Sequence, residues 1–241
     1  MTYNIMTVMH LARISLVGAV VLVALGMAAC GDGRSAVREA STNAPAAVNE
    51  PRREPGRPRI VFLGDSLTAG LGLAPEDAVP ALIQARLDAG GYRYDVVNAG
   101  VSGDTSAGGL SRLDWSLEGD VAVLVVELGG NDGLRGLPVA QMRQNLATIL
   151  SRARERGITV ILTGMEAPPN YGAAYTAEFR EVFRSLAKEY QVRFIPFFLE
   201  GVAGIASLNQ GDGIHPNSAG ARIVEDTVWR ALEPELERQD R

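Results

Sequence analysis

The chain has 241 residues, 46% hydrophobic and 21% charged, enough to bury one proper core without disulfide or metal staples. Its formal net charge of −5 excludes the basic stripe of a nucleic-acid binder. A single cysteine, Cys30, excludes a disulfide framework within the chain, and Lys188 is the only lysine, Arg supplying the other basic groups.

Residues 1–29 read as a secretory signal. His10 and Arg13 precede an apolar run over 14–27, and the small Ala28-Ala29 sit before Cys30. The run is shorter than the roughly 20 residues of a comfortable membrane span. An uncleaved N-terminal anchor is the alternative. Met27-Ala28-Ala29-Cys30-Gly31 resembles a bacterial lipobox, with Met where Leu is more usual. That resemblance implies that Cys30 is lipidated and becomes the new N-terminus. The protein is then exported and held at the cell envelope, facing the periplasm in a Gram-negative cell. Residues 30–58 carry Gly, Ser, Ala, Asn, Pro, Arg and Glu with no apolar periodicity, the composition of a tether rather than a packed segment.

From residue 59 the pattern alternates strand and helix. The apolar run 59–63 is the first strand. A helix over 75–89 follows, with Val79, Leu82, Ile83 and Leu87 on one face and Gly90-Gly91 ending it. Residues 94–98 are the second strand and 107–117 a helix. The continuous apolar run 121–127 is expected of a strand covered on both faces. The clearest helix is 138–156, with Pro138 at its start, Val139, Met142, Leu146, Ile149 and Ala153 in one stripe, and Gly157 after it. Residues 158–163 and 191–195 are strands, and 176–190 and 218–232 are helices. Strands separated by helices imply an α/β protein, three-layer α/β/α, with a central five-stranded parallel sheet. The domain is expected over 59–235, with a polar tail at 236–241 and neither an internal repeat nor a second domain.

The chemistry gathers at strand ends, where open parallel sheets bind ligands. Gly64-Asp65-Ser66 follows the first strand, Gly100 to Thr105 the second, and Gly129-Gly130-Asn131-Asp132 the third. Asp212-Gly213-Ile214-His215-Pro216 lies before the last helix. Of the two histidines, His10 falls in the signal, so His215 is the one imidazole left for a general base. A serine hydroxyl needs such a base, and the base needs a carboxylate to hold its tautomer. Ser66, His215 and Asp212 supply the three groups. The N–H of Ser66, the N–H of Gly103 and the amide of Asn131 are candidate oxyanion donors. Singly, each piece has a plainer reading: Gly64-Asp65-Ser66 a turn, the glycines permissive hinges, Asn131 or Asp212 a helix cap. Jointly, in this order, they point to a hydrolase.

The residues resemble the GDSL, or SGNH, hydrolase superfamily over the whole span from about residue 59 to the last helix. Gly64-Asp65-Ser66-Leu67 matches the first block, Asn98 to Thr105 the second, Gly130-Asn131-Asp132 the third and Asp212 to Pro216 the last. The resemblance implies a flavodoxin-like SGNH fold. It implies Ser66 as nucleophile, Asp212 and His215 as its partners, and Gly103 and Asn131 as oxyanion donors beside Ser66. The stretch from Glu127 to Gly136, with Pro168-Pro169-Asn170-Tyr171-Gly172, is most similar to the bacterial multifunctional thioesterase/lysophospholipase and arylesterase branch. Acyl thioesters, aryl esters and lysophospholipids are therefore the implied substrates. No cofactor and no metal is implied, and the remaining chain lacks the His/Cys cluster of a zinc site.

Leu71, Met165, Pro168 and Tyr171, with Leu73 and Tyr175, fall in loops at the active end and are candidates for an acyl groove. Asp65 is expected to pack behind the nucleophile. A short to medium acyl chain and a monomer are the working expectations. Two other readings stand beside this one. The first is a carbohydrate or peptidoglycan O-acetylesterase on the same fold. The second is a lipoprotein that binds acyl ligands without turnover. Glycine-rich phosphate-loop spacing is missing, which sets aside a phosphate binder.

Overall fold

The computed structural model describes residues 56–236. The expected signal, lipobox and most of the tether, with the end of the polar tail, lie outside the described residues.

Five strands form one parallel sheet: β1 (Arg59–Gly64), β2 (Asp95–Gly100), β3 (Val121–Glu127), β4 (Thr159–Thr163) and β5 (Arg193–Ile195). Their spatial order is β2-β1-β3-β4-β5. Each connection must then cross over the sheet, and right-handed crossovers place helices on both faces. On one face α2 (Val79–Gly90) packs with α8 (Ser218–Leu232). On the other, α3 (Ser106–Ser111), α6 (Val139–Glu155) and α7 (Ala173–Tyr190) lie together. This is the three-layer α/β/α arrangement expected from the sequence, and its strand order is that of the flavodoxin-like fold the resemblance implies. β1 and β3 carry its centre: Ile60, Val61, Leu63, Leu124, Val125 and Val126 are fully enclosed.

The apolar stripe of α6 is buried as its period requires, and Gly157 ends it in the left-handed region with φ +71°. Two expected helices differ. The helix over 75–89 is split: Pro75–Asp77 is a single 3-10 turn, Ala78 is extended, and α2 starts at Val79. Pro80 explains the break, because proline fits the first turn of a helix and not its interior. The helix over 107–117 is two pieces, α3 and α4 (Leu113–Ser116), interrupted at Arg112. Arg112 spends its guanidinium on loop atoms: Nε on Asp104 at 2.7 Å, Nη1 on the Ala99 carbonyl and Nη2 on the Gly64 carbonyl. It thereby ties the ends of β1 and β2 to the loop after β2.

The order reverses direction at β1: the chain leaves it toward β2 on one side and returns to β3 on the other. That reversal opens a crevice at the carboxyl ends of β1 and β3, where α/β sheets bind ligands. Ser66 follows β1, and Asn131 follows β3.

Candidate active site

The loop after β1 turns at once into α1 (Ser66–Ala69) because Asp65 caps it, Oδ1 accepting from Leu67 N–H at 3.0 Å. Gly64 is there for space. A Cβ on it would stand 1.9 Å from Thr68 Oγ1 and 2.7 Å from Glu127 Oε2. Gly100 serves likewise, since a Cβ there would meet the Ala69 backbone nitrogen at 2.3 Å. The glycine in the second block thus permits close packing of α1 on β2. Gly103 instead takes a left-handed turn, φ +86°.

Ser66 Oγ lies 2.9 Å from His215 Nε2, across 149 residues of chain. His215 Nδ1 lies 2.7 Å from Asp212 Oδ2. With Nδ1–H donating to the carboxylate, Nε2 is left to accept from the serine hydroxyl. The other Asp212 oxygen accepts the N–H groups of Ile214 and His215 at 3.0 and 3.1 Å, so a single carboxylate holds both the ring and its backbone. The hydrogen bond from His215, then those two backbone donors, pull the Asp212 carboxyl down to about 2. It is an anion throughout the working range. Asp212 does not cap the last helix; Asn217 does, accepting from Ala219 and Gly220.

Gln210 fastens this loop to the Ser66 side of the crevice. Its Nε2 donates to the Leu71 carbonyl at 2.7 Å and to the Pro216 carbonyl at 2.9 Å. Gly72 leaves it room, for a Cβ there would come within 2.1 Å of the Gln210 amide oxygen.

The second and third blocks close the other side. Among the described residues the N–H groups of Ser66 and Gly103 have no hydrogen-bond partner. Asn131, in α5 (Gly130–Leu134), spends its amide on two acceptors: Asp65 Oδ2 and the Asp104 carbonyl, both at 2.9 Å. Asp132 is buried and takes both the N–H and the hydroxyl of Ser106, fixing the start of α3 against α5. Beneath Ser66, Asp65 is 2% exposed and Glu127 is fully enclosed. Burial raises the proton affinity of both, and the neighbouring Asp65 charge raises that of Glu127 further.

These groups open into a cavity of about 520 Å³ with a mostly apolar wall. Ser66, Gly103, Asn131 and His215 lie on it, as do Leu71, Met165 and Pro168. Tyr171 does not line it; its hydroxyl donates to the Leu134 carbonyl at 2.9 Å and its ring leans on Tyr175. Tyr175 packs on toward Phe179, and Leu73 faces a small pocket behind Ser66. Leu134, Phe197, Leu199 and Ile214 also line the cavity and were not singled out from the sequence. Phe197 and Leu199 follow the last strand, which was the available signal. Glu127 and Gln210 had none: one sits inside an apolar run, the other in an ordinary polar loop.

Residues 62–223 match the model of the GDSL-like lipase/acylhydrolase family. Esterase TesA of Pseudomonas aeruginosa is 48% identical over 178 residues, covering 73% of this chain and 89% of that protein. Thioesterase 1/protease 1/lysophospholipase L1 of Escherichia coli is 39% identical over 176 residues, covering 73% of this chain and 83% of that one. A crystal structure of TesA superposes with a TM-score of 0.71 at 47% identity, covering 74% of this chain and 99% of its own.

Proposed function

The chain belongs to the GDSL-like lipase/acylhydrolase family, and from that premise we propose that it hydrolyses carboxylic esters and thioesters through a covalent acyl-serine intermediate. Ser66 is the nucleophile. His215 takes the hydroxyl proton as Oγ bonds to the acyl carbon, and returns it to the departing alcohol or thiol. Asp212 steadies the imidazolium formed in between. A water then attacks the acyl-enzyme, gives its proton to His215, and the carboxylic acid leaves as Ser66 is reprotonated.

The carbonyl oxygen becomes an oxyanion beside the N–H groups of Ser66 and Gly103. Asn131 joins them by turning one amide hydrogen from the Asp104 carbonyl or Asp65 toward that oxygen. Asp65 and Asp104 are the groups that hold it ready.

The observation that carries the reading is the relay Ser66 Oγ–His215 Nε2 at 2.9 Å and His215 Nδ1–Asp212 Oδ2 at 2.7 Å. Aryl esters, acyl thioesters and lysophospholipids are the substrates the relatives' names suggest. The apolar wall of the cavity supports an acyl chain over an acetylated sugar. The test is hydrolysis of p-nitrophenyl esters from acetate to palmitate by residues 31–241, beside Ser66→Ala, with a fluorophosphonate probe. Activity and labelling lost together in the variant are expected. An unlabelled, inactive parent would mean an acyl-binding lipoprotein instead.

Export and lipidation at Cys30 belong to the same proposal, supported by Met27 to Gly31. Labelled palmitate should enter the parent in bacterial cells and not a Cys30→Ala variant.

A further inference from the structure

Seven large hydrophobic side chains are conspicuously exposed among the described residues, and six of them gather at the mouth of one cavity. Leu71, Leu134 and Ile214 line it. Val101 precedes the lining residue Ser102, and Ile205 follows the lining residue Gly204. Tyr171 is pinned to the Leu134 carbonyl. The seventh, Trp115, lies on α4, toward the opposite edge of the sheet. These six come from five segments that follow the five strands, Ile205 and Ile214 sharing the connection from β5 to α8, and each is between 41% and 48% exposed. Scattered singly, such residues mean nothing; gathered in a ring they mark a contact surface.

We infer that this ring docks the mouth of the active site onto a zwitterionic phospholipid surface, so that acyl substrates pass from the lipid directly into the cavity. The inference rests on the esterase reading of that site. Three observations choose lipid as the occupant. The ring surrounds a cavity whose wall is itself apolar, so a chain entering from a bilayer need not cross water. Of the two acids on the cavity wall, Asp65 is already buried and Glu166 is neutralised by a two-point ion pair with Arg180 at 2.6 Å, which limits the charge that must be desolvated on docking. The net charge of −5 offers no attraction to an anionic surface, which leaves a neutral one.

The length of the tether agrees. The chain enters β1 at the edge of the sheet opposite the site, and the six residues of β1 rise about 20 Å. Residues 31–55 can span at most about 85 Å when extended. A lipid at Cys30 therefore leaves the far edge free to reach the same membrane. No helix among the described residues is long and apolar enough to cross a membrane, so the contact is peripheral.

The domain stands alone in its relatives, as the near-complete coverage of the TesA structure shows, so residues 31–241 without lipid are a fair sample. They are floated with phosphatidylcholine vesicles beside the double variant Val101→Ser/Ile205→Ser, which leaves the cavity wall intact. The parent should float. The double variant should lose binding by roughly tenfold for each side chain removed. Its hydrolysis of dissolved p-nitrophenyl acetate should equal the parent's, while its hydrolysis of vesicle-borne lysophospholipid falls with the binding.

A parent that fails to float, or a double variant that floats equally, would overturn the inference. So would lipid-free self-association of the parent that the double variant abolishes, since the ring would then be a contact between copies. Failure of the esterase reading would show separately, as no hydrolysis of the dissolved ester by the parent.

Discussion

Asp65 and Glu127 meet as two buried acids beneath Ser66. The N–H of Asp65 donates to Glu127 Oε2 at 3.3 Å, and the same oxygen accepts from Thr68 Oγ1 at 2.8 Å. Glu127 Oε1 is buried with no partner, and neither acid forms an ion pair among the described residues. An uncompensated buried carboxylate is costly, so protonation is the relief. Burial and the neighbouring Asp65 push Glu127 well above its ordinary value of 4.5.

The sign of the pH dependence follows. A carboxyl with a raised folded pKa binds its proton more tightly in the folded state. Its stabilising contribution is complete below about 4.5 and is lost as pH rises through the folded value. Asp65, also raised, acts in the same direction. Glu127→Gln keeps the shape of the neutral acid and removes the charge. Urea unfolding should find it more stable than the parent at pH 8, with the gap closing toward pH 4.5. Parallel curves would mean that Glu127 is not held neutral. Glu127→Ala leaves the Asp65 N–H and the Thr68 hydroxyl buried without an acceptor, which costs about 1–3 kcal/mol for each.

Asp212 differs from that pair because it is exposed and held by three donors. Asp212→Asn should lower kcat by roughly a thousand- to ten-thousandfold, since an amide oxygen no longer balances the imidazolium. The fold should keep its melting temperature. In the parent the carboxyl stays ionised down to about 2, so acid loss of activity above that pH does not come from this group. A kcat/KM profile that still shows an acid limb in Asp212→Asn would assign that limb to a group other than Asp212.

Asn131 lines the cavity beside Ser66 and is held by Asp65 and the Asp104 carbonyl. Asn131→Ala should cost roughly a hundred- to a thousandfold in kcat with little change in KM, as a donor used in the transition state is lost. The slowed step should appear equally in labelling by the fluorophosphonate. A loss confined to KM would assign Asn131 to substrate binding alone.

Met165 is buried in the cavity wall. Met165→Trp should shorten the preferred acyl chain, because the indole fills part of a volume of about 520 Å³. Hydrolysis of p-nitrophenyl acetate should persist while that of the longer esters falls. An unchanged chain-length profile would place the acyl group elsewhere.

How much of this was legible in the chain depends on the reach of each interaction. The alternation of strand and helix could be read because side-chain periodicity is local, as with the stripe of α6. The four polar blocks could be read because glycine, acid and serine directly after an apolar run have few structural uses. The break at Ala78 and the interruption at Arg112 were missed, since one turns on where Pro80 falls in the first turn and the other on contacts with Gly64, Ala99 and Asp104.

By itself, then, the sequence determined the class of fold, the few side chains available for the chemistry, and His215 as the candidate base once His10 is assigned to the signal. Only the tertiary structure decided their relations. The strand order β2-β1-β3-β4-β5 brings the ends of β1 and β3 together, and so sets Asn131 on Asp65 and Glu127 under Ser66. It also turned Tyr171 out to the rim and joined Gln210 to Leu71. Those distances depend on which strands are neighbours and on the register between them, and no local pattern of side chains encodes either.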